Sequence, residues 1–118
     1  MKKILVVDDD PILGFMIQEM LEWKGYTVKL SRLPQETVTN IVNEHIDLVI
    51  LDKLISGTDG VEVCTWIKQN EKTKEVPVMM ITAMHTSKDA CLQAGADDFI
   101  AKPFEMDNFL LKVHQLVN

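Results

Sequence analysis

The chain has 118 residues, 47% of them hydrophobic and 25% charged, with a net charge of −6. That is the length of one compact domain with one core, and the balance excludes a disordered tail. An acidic domain this small is also a poor partner for a nucleic-acid phosphate backbone, and no apolar run approaches the ~20 residues that span a bilayer.

Met1-Lys2-Lys3 leads into a β-rich run from Lys3 to Asp8 whose apolar stretch, Ile4 to Val7, is too short for a signal-peptide core. Localisation is therefore expected to be cytoplasmic. Asp10-Pro11 then reads as an N-cap followed by proline at the first helical position. The first helix carries Ile12, Phe15, Met16, Met20 and Trp23 at helical spacing, and these are expected to form its core face, with Met16 and Met20 as filler. Gly25 falls where this helix should stop. A second β-rich run covers Thr27 to Ser31, and a third covers Asp47 to Asp52. Asp59-Gly60-Val61-Glu62 has capping-box spacing and opens another helix. A fourth run, Val76 to Thr82, includes Met79 and Met80. After a helix ending near Gly95, a fifth run covers Asp98 to Ala101. The last helix presents Phe109, Leu110, Val113, Leu116 and Val117.

Five β-α units in series follow. Strands without polar alternation are buried on both faces, which predicts an α/β fold with a parallel sheet and helices on each side. Ligands of such sheets bind beyond the carboxyl ends of the strands, where strand order reverses. At those ends stand Asp8-Asp9-Asp10, Asp52, Thr82 and Lys102. Carboxylates held ~4 Å apart repel by roughly 4 kcal/mol per pair at an effective dielectric of 20. A hard divalent cation would neutralise them, and all-oxygen ligands with room for water suit Mg²⁺. Cation, lysine and hydroxyl around one free carboxylate suit a phosphoryl group attacked in line by that carboxylate.

The blocks Ile4-Leu-Val-Val-Asp8-Asp9-Asp10-Pro11, Leu48-Val-Ile-Leu-Asp52 with Asp59-Gly60, Met80-Ile-Thr82-Ala83, and Gly95-Ala-Asp-Asp-Phe99-Ile-Ala-Lys102-Pro103-Phe104 resemble the receiver domains of bacterial two-component response regulators. The resemblance runs the whole length, so residues 1–118 are expected to be a single receiver domain. It implies a doubly wound, flavodoxin-like (βα)5 fold with strand order 2-1-3-4-5. It implies that Asp52 becomes the aspartyl phosphate. Asp9 and Asp52 would ligate Mg²⁺ directly, Asp8 through a water, and Leu54 through its backbone carbonyl. Lys102 would pair with the phosphoryl group, Thr82 would hydrogen-bond it, and Phe99 would be the switch aromatic that turns inward. Lys102-Pro103 would be a cis peptide. The implied donor is a sensor histidine kinase or a histidine phosphotransfer protein. The implied output is a downstream protein or domain reached through the face of helix four, strand five and helix five, and dimerisation on phosphorylation is open to such a domain. Neither direct nucleic-acid binding nor a membrane is expected, and the molecule is read as a switch rather than a metabolic enzyme.

The chain departs from the family pattern in four places. Ile55-Ser56 stands where Met-Pro is usual, which is expected to loosen the Leu54 carbonyl. Lys53 stands where an apolar residue is common and points either to solvent or toward incoming phosphate. Leu54 and Met84 flank the site with apolar groups that cannot orient an attacking water, which predicts a long-lived phosphoryl group. Thr82 to Gly95 is two residues short, which places the change in the loop and start of helix four. Asp10 is read as a helix cap rather than a fourth metal ligand, and Asp97-Asp98 as a solvated turn, although the resemblance implies that the second acidic position, Asp98, can join salt bridges in regulators that dimerise through this face. His45, His85 and His114 are read as ordinary histidines, and Cys64 and Cys91 as packed thiols. A phosphorylation-independent scaffold would share the fold. A haloacid-dehalogenase-like phosphatase would need Gly-Thr after Asp8-x-Asp10, where Pro11-Ile12 stands. A flavin phosphate would be repelled by the three aspartates, and no P-loop motif occurs.

Overall fold

The computed structural model describes residues 2–55, 57–83 and 88–117. Ser56, Met84 and His85, each singled out above, lie outside the described residues. The elements in chain order are β1 (Lys3–Val7), α1 (Pro11–Trp23), β2 (Thr27–Ser31), a 3-10 turn (Pro34–Glu36), α2 (Thr37–Glu44), β3 (Leu48–Asp52), β4 (Leu54–Ile55), β5 (Thr58–Asp59), α3 (Gly60–Gln69), β6 (Val78–Thr82), α4 (Lys88–Gln93), β7 (Asp98–Ala101) and α5 (Met106–Val117).

Five of these strands form one sheet in the order β2-β1-β3-β6-β7, every neighbouring pair parallel. Counting only those five, the order is 2-1-3-4-5, as expected. The central strands β3 and β6 are buried along their whole length, which is why their sequences lack polar alternation. The sheet separates two apolar layers. One gathers Leu5, Val7, Val49, Leu51 and Met80 with Val63, Ile67 and Cys91 from α3 and α4. The other gathers Ile4, Val6, Ile50 and Met79 with Ile17 and Leu21 of α1 and Phe109 and Val113 of α5.

The helix ends follow their punctuation. The Asp10 carboxylate accepts from the Ile12 and Leu13 amides, and Asp59 from the Val61 amide. Gly25 and Gly95 take positive φ just past α1 and α4. His45, on the exposed surface, ends α2 in the left-handed region at φ 53°.

The inward face of α1 differs from the expected one. Ile12, Phe15, Met16 and Trp23 are exposed, Ile12 and Trp23 each by 73%, and Met20 is only partly buried. The buried stripe is instead Gly14, Ile17 and Leu21, with Leu13 packed beside it. Two apolar stripes of the same period run along this helix, and the one containing Gly14 faces the sheet. A Cβ at Gly14 would come within 3.2 Å of the Leu30 side chain, so the missing side chain is what lets α1 approach β2. A second difference is the short antiparallel ladder β4–β5 in the loop after β3, which pairs Leu54 with Asp59 and Ile55 with Thr58.

Candidate phosphoacceptor site

The sheet's carboxyl edge collects the site. Asp52 is the last residue of β3 and is 7% exposed. Asp8 follows β1, is 2% exposed, and is tied to β2 by its amide, which donates to the Ser31 carbonyl. Thr82 ends β6 and is buried. Lys102 follows β7, with its amide donating to the Thr82 carbonyl at 2.7 Å, and the Lys102–Pro103 peptide is cis. Each of these positions is the last residue of a strand or the first one after it, and parallel pairing brings them all to one rim.

The Lys102 ammonium lies 3.2 Å from Asp52 Oδ2. Asp8 Oδ1 accepts from the Asp10 amide at 2.9 Å, while Asp8 Oδ2 is buried with no hydrogen-bond partner. Burial raises the Asp8 carboxyl from its ordinary 3.8 to about 6. The Asp10 amide opposes the rise, as does Lys102, and the charge of the neighbouring Asp52 carboxylate adds to it. Asp9 is half-buried on the same rim and Asp10 is exposed, its side chain occupied in capping α1.

A cavity of about 380 Å³ opens above these groups, lined by Asp52, Lys53, Leu54, Asp59, Thr82 and Lys102, with Ala83 at its edge. The Leu54 side chain is 67% exposed at its mouth. Lys53 is half-buried, and its ammonium lies 3.2 Å from Asp59 Oδ2. Phe99, in β7, is half-buried against the α3–α4 side of the core. Among the described residues no three His, Cys, Asp or Glu side chains are gathered closely enough to hold a cation by themselves. The Asp8–Asp52 pair suits Mg²⁺ nonetheless, because that ion commonly takes one or two carboxylates and keeps several waters. The orphaned Asp8 oxygen is the observation that fits it best.

Three engagements differ from the plainer sequence reading. Asp97 is not a merely solvated turn: its carboxylate accepts from Lys68 Nζ of α3 at 2.9 Å and from the Val78 amide at 2.8 Å. Asp98 pairs with Lys112 of α5 at 3.2 Å. Lys53, left between two orientations, is engaged by Asp59. Cys64 and Cys91 are buried free thiols, Cys64 pushed up by burial to about 11, which leaves it inert near neutral pH.

A doubly wound parallel sheet with two aspartates and a lysine together at its carboxyl rim is the arrangement of a receiver domain of the two-component class. The chain belongs to the response regulator receiver domain family, whose model matches residues 4–114. It is 33% identical over 125 residues to the DNA-binding dual master transcriptional regulator RpaA of Synechocystis, covering 99% of this chain and 49% of that protein. It is 38% identical over 105 residues to the phosphate regulon transcriptional regulatory protein PhoB of Pseudomonas aeruginosa, covering 87% of this chain and 46% of that protein. The chain thus spans about half the length of these curated relatives. Among solved structures, a response regulator from Chloroflexus aurantiacus superposes with a TM-score of 0.93 at 32% identity, covering 98% of this chain and 97% of that one. The receiver domain of a Pseudomonas aeruginosa sensor histidine kinase, solved with a magnesium ion coordinated in its active-site cleft, gives 0.89 at 28%, covering 98% and 97%. No described helix is long and apolar enough to cross a membrane.

Proposed function

We propose that residues 1–118 act as one receiver domain of a phosphorelay, in which Asp52 takes a phosphoryl group from a phosphohistidine on a sensor kinase or histidine phosphotransfer protein. One observation carries the reading: a buried Asp52 carboxylate with Lys102 on one oxygen, under a cavity open to solvent. An Asp52 oxygen attacks phosphorus in line while the bond from phosphorus to the donor's imidazole nitrogen breaks, and the imidazole leaves with the electron pair. Little covalent work falls to the protein in such a transfer, so positioning and charge supply the catalysis. Lys102 stands beside Asp52 to balance charge on the transferring oxygens, and Thr82, at the end of the adjacent strand, is set to hydrogen-bond one of them. Asp8, Asp9, Asp52 and the Leu54 carbonyl would hold Mg²⁺, which supplies further charge neutralisation on the phosphoryl oxygens.

Output follows from the same geometry. Thr82 pairs with Ala101 and Met80 with Phe99 across the β6–β7 ladder. A pull on Thr82 is therefore felt at the strand that carries Phe99 and leads into Lys102, and a bistable aromatic there converts it into a change of face. A cavity of about 530 Å³, lined by Phe99, Phe104, Asn108 and Lys112 among others, lies on that face and would receive the downstream protein or output domain. Any DNA binding belongs to such a partner, since the domain itself is acidic. The exposed apolar side of α1, starting at Ile12 beside Asp9 and Asp10, borders the rim that a donor must cover. Such a relay operates in the cytoplasm, and dimerisation through the β7–α5 face is open to it.

The test is intact mass after incubation with Mg²⁺ and acetyl phosphate. One added phosphoryl group is expected, lost in Asp52→Asn and in chelator. No adduct in the native chain, with no beryllofluoride binding either, would leave the scaffold reading in its place.

A further inference from the structure

Lys53 and Asp59 pair across the two ends of the loop between β3 and α3, beside two groups of the proposed metal site. The loop leaves β3 at Asp52, passes Leu54, and returns at Asp59 to start α3. Its own ladder is only two residues on each strand, too short to be rigid alone. Its two ends are joined by more than that ladder. The Gly60 amide donates to the Lys53 carbonyl, and a Cβ at Gly60 would collide with the Asp52 carbonyl oxygen. The first turn of α3 is therefore pressed against the Asp52–Lys53 backbone, and any shift of one moves the other. Asp59 spends both carboxylate oxygens on this junction: Oδ1 accepts from the Val61 amide at 2.9 Å, and Oδ2 takes the Lys53 ammonium at 3.2 Å. On the other side the Lys53 amide donates to the Ile81 carbonyl of β6 at 2.8 Å. Leu54 follows immediately.

We propose that Lys53 is a positioning residue for the cation site, its ammonium clasped to Asp59 so that the Asp52 carboxylate and the Leu54 carbonyl keep a fixed spacing. The proposal rests on the phosphoacceptor reading of the rim. It requires Lys53 to act through Asp59 and not as a bare positive charge, and those two roles predict opposite results. A bare charge beside the site repels a cation, so Lys53→Met would tighten Mg²⁺ binding and Asp59→Asn, which removes an anion, would weaken it. A clasp is broken from either end.

Mg²⁺ affinity of the unphosphorylated protein, titrated by NMR at fixed ionic strength, separates them. Lys53→Met and Asp59→Asn (the amide still able to cap α3) are each expected to weaken binding about three- to five-fold, the scale of a half-exposed ion pair. The double variant should be no weaker than either single one, and Lys53→Arg should retain native affinity. In metal-free protein, amide exchange from Leu54 to Asp59 should quicken in Lys53→Met. Shifts of opposite sign in the two single variants would overturn the clasp, as would a lowered melting temperature with unchanged Mg²⁺ affinity. A native chain that binds no Mg²⁺ at all would overturn the phosphoacceptor reading itself, a result distinct from variants that bind as well as the native chain.

Discussion

Replacing Asp8 with asparagine should stabilise the metal-free protein at neutral pH. The carboxyl is 2% exposed, one of its oxygens has no hydrogen-bond partner, and the Asp52 carboxylate lies against it. Burial lifts it from 3.8 to about 6. A carboxyl whose folded pKa lies above its unfolded one binds protons more readily in the folded state. Stability is then lost as pH rises from about 4 through about 6, and the loss is complete above that. The distance from 3.8 to about 6 corresponds to about 3 kcal/mol, an upper bound for what the ionised group costs the native state. An asparagine keeps an oxygen for the Asp10 amide and offers an N–H toward Asp52 in place of a second charge. At roughly 4 °C per kcal/mol for a domain of this size, Asp8→Asn should melt up to about 12 °C higher than the native chain. The assay is thermal unfolding by circular dichroism in chelator at pH 7.5, repeated at pH 4.5, where the native carboxyl is largely protonated and the gap should narrow. A variant melting at or below the native chain at pH 7.5, or a gap that widens in acid, would refute the assignment of this cost to Asp8.

Two further outcomes follow from the surroundings of the same rim. Leu54 is exposed at the mouth of the cavity and brings no polar atom to it in its side chain, so Leu54→Asn should speed loss of the phosphoryl group several-fold by helping to orient a water, measured as decay of the acetyl-phosphate adduct. Phe15, 59% exposed on α1, should matter to a protein donor and not to a small one: Phe15→Asp is expected to slow transfer from a phosphohistidine protein about tenfold, leave acetyl-phosphate labelling alone, and shift stability by no more than ~0.5 kcal/mol.

The parallel sheet was legible because buried strands and capped helices each leave a local mark. β2 and β7 fall on the expected bounds, and β1, β3 and β6 are shortened by one or two residues at an end, where the polar or proline-adjacent positions leave the ladder. The face of α1 was not legible from periodicity, because apolar residues occupy both sides of the helix and either stripe satisfies a 3.6-residue repeat. The glycine at position 14 carried the missing information, since a helix that packs tightly on a strand needs a small residue at the contact. The β4–β5 ladder could not be read at all, because two residues per strand give no period. Asp97 and Asp98 looked like a turn because their partners, Lys68 and Lys112, lie on other helices.

The buried carboxyl that costs the native state most clearly, Asp8, stands on the rim where the phosphoryl chemistry is proposed, and the fold tolerates it because of where it sits. Asp8, Asp52 and Thr82 are buried polar groups at the ends of strands whose other residues are almost wholly apolar. Lys102 pairs directly with one oxygen of Asp52 and reaches Asp8 only as a neighbouring charge, leaving one Asp8 oxygen without a hydrogen bond. One ammonium cannot satisfy two buried carboxylates, so the metal-free rim at neutral pH carries an excess of negative charge that the core must offset. That excess gives the site its response: whatever brings positive charge to the rim lowers the native state's energy by relieving Asp8, and the gain is larger than at a solvated cluster because the group is already desolvated. Sensitivity to a cation and a low-stability rim are then two expressions of one buried carboxylate. A variant that removes the instability at Asp8 should also blunt the response, with Asp8→Asn gaining less in melting temperature from Mg²⁺ than the native chain does.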